Sequence, residues 1–189
     1  MNSLGTHDTP RILTLLGAGG TCSDKSKQWR AEHRLTPNQL RRGKDRLKAA
    51  ALLLFAFPGS PTIYYGDEAG MEGWEDPFNR RTYPWGGEDT DLRSFVASLG
   101  AARKAHRALR RGDISYVAAN GPLLAFTRSA EGKTILIAAN NSNRAATFSF
   151  PAKRLVPLLD STATLRSAAN TVSVTLSPLS GGMWLTEED

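Results

Sequence analysis

The feature that most constrains this chain is a change of hydrophobic period at Arg110-Arg111-Gly112. Before it, Leu92, Phe95, Val96, Leu99 and Ala102 recur at helical spacing and predict a helix over about Thr90 to Arg110. After it, short runs of strand-like residues follow one another: Ile114 to Ala118, Leu123 to Thr127, Thr134 to Ala139, Ala146 to Phe150, Arg154 to Leu159, Val172 to Leu176 and Met183 to Thr186. Turn residues such as Asn120-Gly121, Glu131-Gly132 and Asn140 to Asn143 separate them. Evenly spaced short strands predict a small antiparallel β-sandwich over residues 111–189. The chain therefore divides in two, 1–110 and 111–189.

The first part alternates helix and strand. Thr9-Pro10 predicts a helix start, with Thr as cap and Pro in the first position, and a short helix ending at Gly17. Residues 17–35 read as a loop with a polar turn of helix. Thr36-Pro37-Asn38-Gln39 is a stronger start, because Gln39 is placed to complete a capping box. That helix should run to Phe57 and stop at Pro58-Gly59. Its second half, Ala49 to Phe57, is apolar all round and should be deeply buried. Thr62 to Tyr65 reads as a buried strand, and Gly66 to Glu88 as a long loop rich in acids, Gly and Trp. Long loops inside compact domains are usually functional. Strand, long loop and helix in that order make one unit of a (β/α)8 barrel, whose function sits on the loops after its strands. The expected fold class is α/β plus all-β.

Charge and composition narrow the function. Lys and Arg number 24 against 18 Asp and Glu, a net charge of +6. Residues 1–60 hold ten bases against four acids, so the excess lies in Lys25 to Lys48. This stretch lacks the interleaved aromatics of a single-strand binder, Trp29 standing alone, and reads as a solvated helix face rather than a nucleic-acid surface. No apolar run approaches the roughly 20 residues of a membrane helix. His7, Asp8 and Arg11 stand where a signal peptide would be apolar. The single cysteine, Cys22, forms no internal disulfide and fits a reducing compartment, so a cytoplasmic chain is expected. Asn140-Asn141-Ser142 matches a glycosylation sequon and is read as coincidence.

Two stretches carry a specific resemblance. Ser3 to Arg11, containing His7-Asp8, resembles the segment after the seventh barrel strand of α-amylase-family glycoside hydrolases. Pro58 to Met71, with the string Thr62-Ile63-Tyr64-Tyr65-Gly66-Asp67-Glu68, resembles that family's eighth strand and following loop. The continuation Asp76-Pro77-Phe78-Asn79-Arg80-Arg81 with Trp85 resembles the neopullulanase, cyclomaltodextrinase and maltogenic amylase branch. The resemblance implies the last two β/α units of a (β/α)8 barrel followed by an antiparallel β-sandwich. The match for residues 111–189 is one of fold only.

Glycoside cleavage with retention needs a carboxylate nucleophile and a separate acid/base. In the family these follow the fourth and fifth strands, so the resemblance implies that both lie outside this chain and that it is inactive alone. It assigns Asp8 as the third family carboxylate, gripping sugar hydroxyls. His7 is a hydrogen-bond donor to the same sugar, and Asp76 and Arg80 are contacts in neighbouring subsites. The activity implied is hydrolysis of α-1,4 links, with α-1,6 links as a second target, in maltooligosaccharides, cyclodextrins or pullulan. The partners implied are an α-glucan and the remainder of the barrel. A non-catalytic carbohydrate-binding or interaction module is the alternative.

Plainer readings exist for the same residues. His7-Asp8 could cap a helix starting near Thr9. Asp76 and Arg80 could be a surface salt bridge. Asp67-Glu68, adjacent at a strand end, point to different sides and suit structural hydrogen bonding better than catalysis. Trp74 and Trp85 fit either sugar stacking or packing under the loop. His33 and His106 have no partners at ligand spacing, so no metal or cofactor is expected. With unpaired strand edges and an apolar helix half short of its sheet, the chain alone should self-associate, most simply as a homodimer hiding residues 49–65.

Overall fold

A computed structural model of the protein describes residues 1–20 and 24–187; Cys22 lies outside them. The chain forms two compact units, one of Met1–Ala50 with Ser60–Ala97, the other of Ala51–Gly59 with Ser98 onward.

The first unit contains β1 (Asn2–Ser3), α1 (Ile12–Ala18), α2 (Lys27–Glu32), most of α3 (Pro37–Ala56) and β2 (Pro61–Thr62). β1 and β2 pair in parallel, Asn2 opposite Pro61 and Ser3 opposite Thr62, which requires the helical crossover between them. The capping box at α3 forms as expected: Thr36 N–H donates to Gln39 Oε1 at 2.9 Å, and Gln39 N–H to Thr36 Oγ1 at 3.4 Å.

The start of α1 differs from expectation. It begins at Ile12, capped by Arg11 without a side-chain bond. Thr9 instead closes a turn, its hydroxyl accepting from Thr6 N–H at 3.0 Å and its N–H donating to Thr6 O at 3.3 Å. That local bond competes with helix and wins. The end also differs, at Gly19 in a left-handed cap rather than at Gly17. Gly17 is a packing glycine. A Cβ on it would sit 2.7 Å from Leu35 Cδ1 and 2.8 Å from the Gln39 carbonyl, and one on Gly43 would sit 3.0 Å from Gly17 Cα. Beside this close crossing lies the unit's core of Leu13, Leu35, Leu47 and Leu92, with Leu4, Ile12, Leu16 and Leu40 against it.

β2 is shorter than the expected Thr62–Tyr65. Asp67 N–H donates to Tyr64 O at 3.1 Å, so the chain already turns there and leaves the ladder. No helix or strand intervenes before α4 (Thr90–Ala105), where Asp89 Oδ1 accepts from Leu92 N–H at 2.9 Å.

In the second unit, His106 adopts extended φ −108° and ψ 116° and separates α5 (Arg107–Arg111) from α4, dividing the expected helix in two. Strands follow as β3 (Asp113–Asn120), β4 (Leu123–Ala130), β5 (Lys133–Asn140), β6 (Ala146–Pro151), β7 (Arg154–Pro157), β8 (Thr164–Ala168), β9 (Thr171–Leu176) and β10 (Ser180–Glu187). They make a five-stranded sheet ordered β3-β4-β5-β10-β7 and a three-stranded sheet β6-β9-β8, every neighbouring pair antiparallel. Leu123 and Ala125, Leu136 and Ala138, and Val172, Val174 and Leu176 alternate along their strands and meet Trp184 between the sheets. The sandwich is therefore as the periodicity implies. β8 was not legible: its sequence is mostly polar and mostly exposed at the edge of its sheet.

The apolar end of α3 is buried, as its all-round apolar sequence implies, and it is not left short of cover as the missing barrel sheet suggested. Ala51, Leu52, Leu54 and Ala56 are buried, and Phe57 stacks on Phe126 at 4.9 Å. Arg103 donates to the carbonyls of Phe55 (2.6 Å) and Gly59, and buried Arg128 to that of Ala56, satisfying the helix C-terminus. Cover comes from the unit's own strands, not from a barrel sheet.

Candidate functional site

Two loops emerge from the C-terminal ends of the parallel strands β1 and β2, the side of such sheets where ligands bind. The loop after β1 carries His7 and Asp8 in the turn closed by Thr6 and Thr9. The loop after β2 carries Asp76 and Arg80, and the fold brings all four together. Arg80 Nε lies 2.7 Å from Asp76 Oδ1 and its Nη2 3.6 Å from Asp8 Oδ1. Arg80 Nε also donates to the His7 carbonyl at 3.1 Å, and His7 Nε2 sits 3.2 Å from Asp8 Oδ2. The side chains of His7 and Asp8 are 63% and 70% exposed, so their polar atoms remain open to a ligand.

Asp8 caps no helix, since α1 begins at Ile12 and Arg11 is its N-cap. The Asp76–Arg80 salt bridge does form. Both carboxylates lie against one guanidinium, a pairing of acceptor and donor groups that suits the vicinal hydroxyls of a sugar.

The residue that ties the two loops together was not singled out in the sequence. Asn79 is fully buried, and its Nδ2 donates to the carbonyls of His7 at 2.7 Å and Thr9 at 2.8 Å. It holds the backbone on both sides of Asp8. Only its place beside Arg80 could have hinted at this.

Beneath the loops lies a charged base. Arg11, 1% exposed, donates to Tyr65 O and to Asp67 Oδ1 (3.2 Å), and its guanidinium lies 4.2 Å and 4.5 Å from the ring centroids of Tyr64 and Tyr65. Burial pushes the Asp67 carboxyl up to about 6, against the pull of Arg11. Glu68 accepts from Gly66 N–H at 2.9 Å and hydrogen-bonds Tyr83. Both acids are thus spent on structure, as their adjacency suggests. The two loop tryptophans part company: Trp74 is 2% exposed and packs 5.4 Å from Trp29, whereas Trp85 is 85% exposed.

Bases of the Lys25–Lys48 stretch turn to partners within the unit. Arg30 meets Glu75 at 3.6 Å, Lys48 meets Asp91 at 2.5 Å, Lys44 pairs with Asp89, and Arg42 and Arg46 donate to carbonyls of α1. Among the described residues no helix is long and apolar enough to cross a membrane, and no group of three His, Cys, Asp or Glu is placed to hold a metal. The sequon residue Asn140 is fully buried, its Nδ2 donating to Arg144 O (2.7 Å) and Ser177 O (3.0 Å), so it offers no acceptor nitrogen.

Residues 1–111 match the family model "Alpha amylase, catalytic domain", and residues 117–184 match "Maltogenic Amylase, C-terminal domain". The chain is 45% identical over 128 residues to an amylopullulanase of Thermoanaerobacter thermohydrosulfuricus, covering 68% of this chain and 8% of that protein. It is 36% identical over 187 residues to a cyclomaltodextrinase of Geobacillus thermopakistaniensis, covering 94% of this chain and 27% of that one. Among solved structures, an Anoxybacillus α-amylase superposes with TM-score 0.80 at 26% identity, covering 100% of this chain and 38% of the other. The chain thus spans well under half the length of each of these proteins.

Proposed function

Because this chain belongs to the α-amylase family, we propose that it supplies the sugar-holding end of the catalytic barrel, and the following sandwich, of a retaining glycoside hydrolase. Residues 1–110 make the last two β/α units and residues 111–189 the C-terminal domain. The substrates are α-1,4-linked, and secondarily α-1,6-linked, glucans: maltooligosaccharides, cyclodextrins or pullulan. Asp8 grips the hydroxyls of the sugar at the scissile bond, more tightly as the ring flattens in the oxocarbenium-like transition state. His7 donates to the same sugar, and Asp76 and Arg80 hold the next one. The nucleophile and acid/base come from the remainder of the barrel. A cytoplasmic location, supported by the lone cysteine, belongs to the same reading.

The observation that carries this reading is the convergence of Asp8 and Asp76 on Arg80 across two loops that leave parallel strands at the same end. The test is reconstitution with the preceding barrel half. His7→Ala and Asp8→Asn should each lower kcat/KM by at least about tenfold, roughly 1.4 kcal/mol. Asp76→Ala and Arg80→Ala should raise KM with little change in kcat. Wild-type rates in Asp8→Asn would refute the assignment.

A second reading, a module that binds glucan without cleaving it, is favoured for the isolated chain by the state of Asp67 and Glu68. One is locked by Arg11 and the other by Gly66 and Tyr83. The chain by itself is expected to show no hydrolysis of maltotriose, β-cyclodextrin or pullulan. Turnover abolished by Glu68→Gln would overturn that.

A further inference from the structure

Trp85 stands apart from the protein's other tryptophans. Trp74 and Trp184 are 2% and 1% exposed and Trp29 is partly buried, whereas Trp85 is 85% exposed. An indole this open leaves most of its apolar area in water, an arrangement that burial against a ligand would relieve.

Its presentation is built rather than loose. Trp85 N–H donates to Tyr83 O at 3.0 Å, Gly87 N–H donates to Pro84 O at 2.8 Å, and Gly86 takes φ +78°, a value that favours glycine. The Tyr83 ring backs the indole at 4.6 Å between centroids. Tyr83 is itself anchored through its hydrogen bond to Glu68, in the turn that follows β2. A continuous set of contacts therefore connects the indole to the strand end from which the loop of Asp76 and Arg80 also departs.

We propose that Trp85, backed by Tyr83, is a stacking subsite for a glucose ring of a linear α-glucan; this rests on the glucan reading above and extends it along the loop beyond Arg80. A pyranose ring presents C–H groups that match the electron-rich face of an indole, and its hydroxyls stay outward for water or polar side chains. The surroundings favour sugar over protein. Apart from Tyr83 and Pro84 before it, the indole's chain neighbours are Gly86 and Gly87, and a Glu88–Arg93 ion pair (3.7 Å) follows. A protein interface would instead place an apolar patch around such a residue.

The test uses the full chain with maltoheptaose as probe and acrylamide quenching of tryptophan fluorescence as readout. Maltoheptaose is expected to shield a quenchable component in the wild type that is missing from Trp85→Phe. In affinity electrophoresis through glycogen, Trp85→Ala should bind about tenfold more weakly than wild type. Wild-type retention of Trp85→Ala would overturn the proposal, as would unshielded fluorescence in the presence of sugar or the absence of any sugar binding. Equal shielding by cellohexaose would overturn the α-glucan assignment. Shielding that appears on raising the protein concentration without sugar would show a second copy on the indole instead. If Asp8→Asn and Arg80→Ala leave shielding and retention intact, the stacking subsite stands and the assignment of those residues falls. Lost retention in those variants with unaltered Trp85→Ala gives the reverse.

Discussion

The buried amide of Asn79 donates a 2.7 Å hydrogen bond to the carbonyl oxygen of His7, and so joins the loop after β2 to the loop after β1. The same nitrogen reaches Thr9 O at 2.8 Å, leaving Asp8 between two tethered peptides.

Removing that tether should destabilise the protein. Asn79→Ala leaves the Thr9 carbonyl without this donor in a buried setting, and a loss of about 2–3 kcal/mol is expected, read as a lower urea midpoint at unchanged slope. Asn79→Asp preserves volume but turns a donor into an acceptor facing two carbonyl oxygens. It should be at least as damaging as the alanine. A milder aspartate would mean that volume, not donation, is what Asn79 supplies.

Asp67 should make stability depend on pH in an unusual direction for a carboxylate. Its folded-state value of about 6, raised by burial, exceeds the ordinary carboxylate value. The native state therefore holds the proton more tightly than the unfolded chain. This contribution is fully present below about pH 4 and is lost as pH rises through about 6, a change on the order of 2–3 kcal/mol. The comparison is the urea midpoint of wild type against Asp67→Asn across that window. A difference that stays flat would show Asp67 ionised throughout beside Arg11.

Gly17 offers a test of the helix crossing. Alanine favours helix over glycine by about 1 kcal/mol, but here its Cβ would press on Leu35 and on the Gln39 carbonyl. Overpacking of that kind costs about 1–3 kcal/mol, so Gly17→Ala should lower the melting temperature. Gly20→Ala meets nothing within 4 Å and should leave it unchanged. Equal behaviour of the two variants would dispose of the argument.

Self-association now rests on the strand edges alone. β1 and β2 form a two-stranded sheet, and neither has another ladder among the described residues. A concentration-dependent dimer that protects residues 60–65 from hydrogen exchange is expected. Light scattering that gives a monomer at tens of micromolar would show that these short edges are too small to recruit a partner.

What the sequence determined by itself is what depends on near neighbours in the chain. Thr36 and Gln39 sit three apart, so their capping box could be read directly, and α3 starts where it predicts. The Glu131-Gly132 pair, both at positive φ, makes the two-residue β4–β5 turn that the spacing of the strands demanded. Period-two alternation placed Val172, Val174 and Leu176 in the sandwich core. The string around Asp67 and Glu68 was long enough to identify the family.

Tertiary structure decided the rest, because the deciding partners lie far apart in sequence. Gly17 looked like a helix stop because its neighbours Leu35 and Gln39 could not be foreseen. The apolar end of α3 found Phe126 and Arg128, not a barrel sheet, as its cover. Asn79 hydrogen-bonds to residues 72 and 70 positions away in the chain, a separation at which no local pattern reports a contact. Buried polar groups must be satisfied wherever a partner can be brought. That global condition sets the candidate site, and a sequence read along its length does not display it.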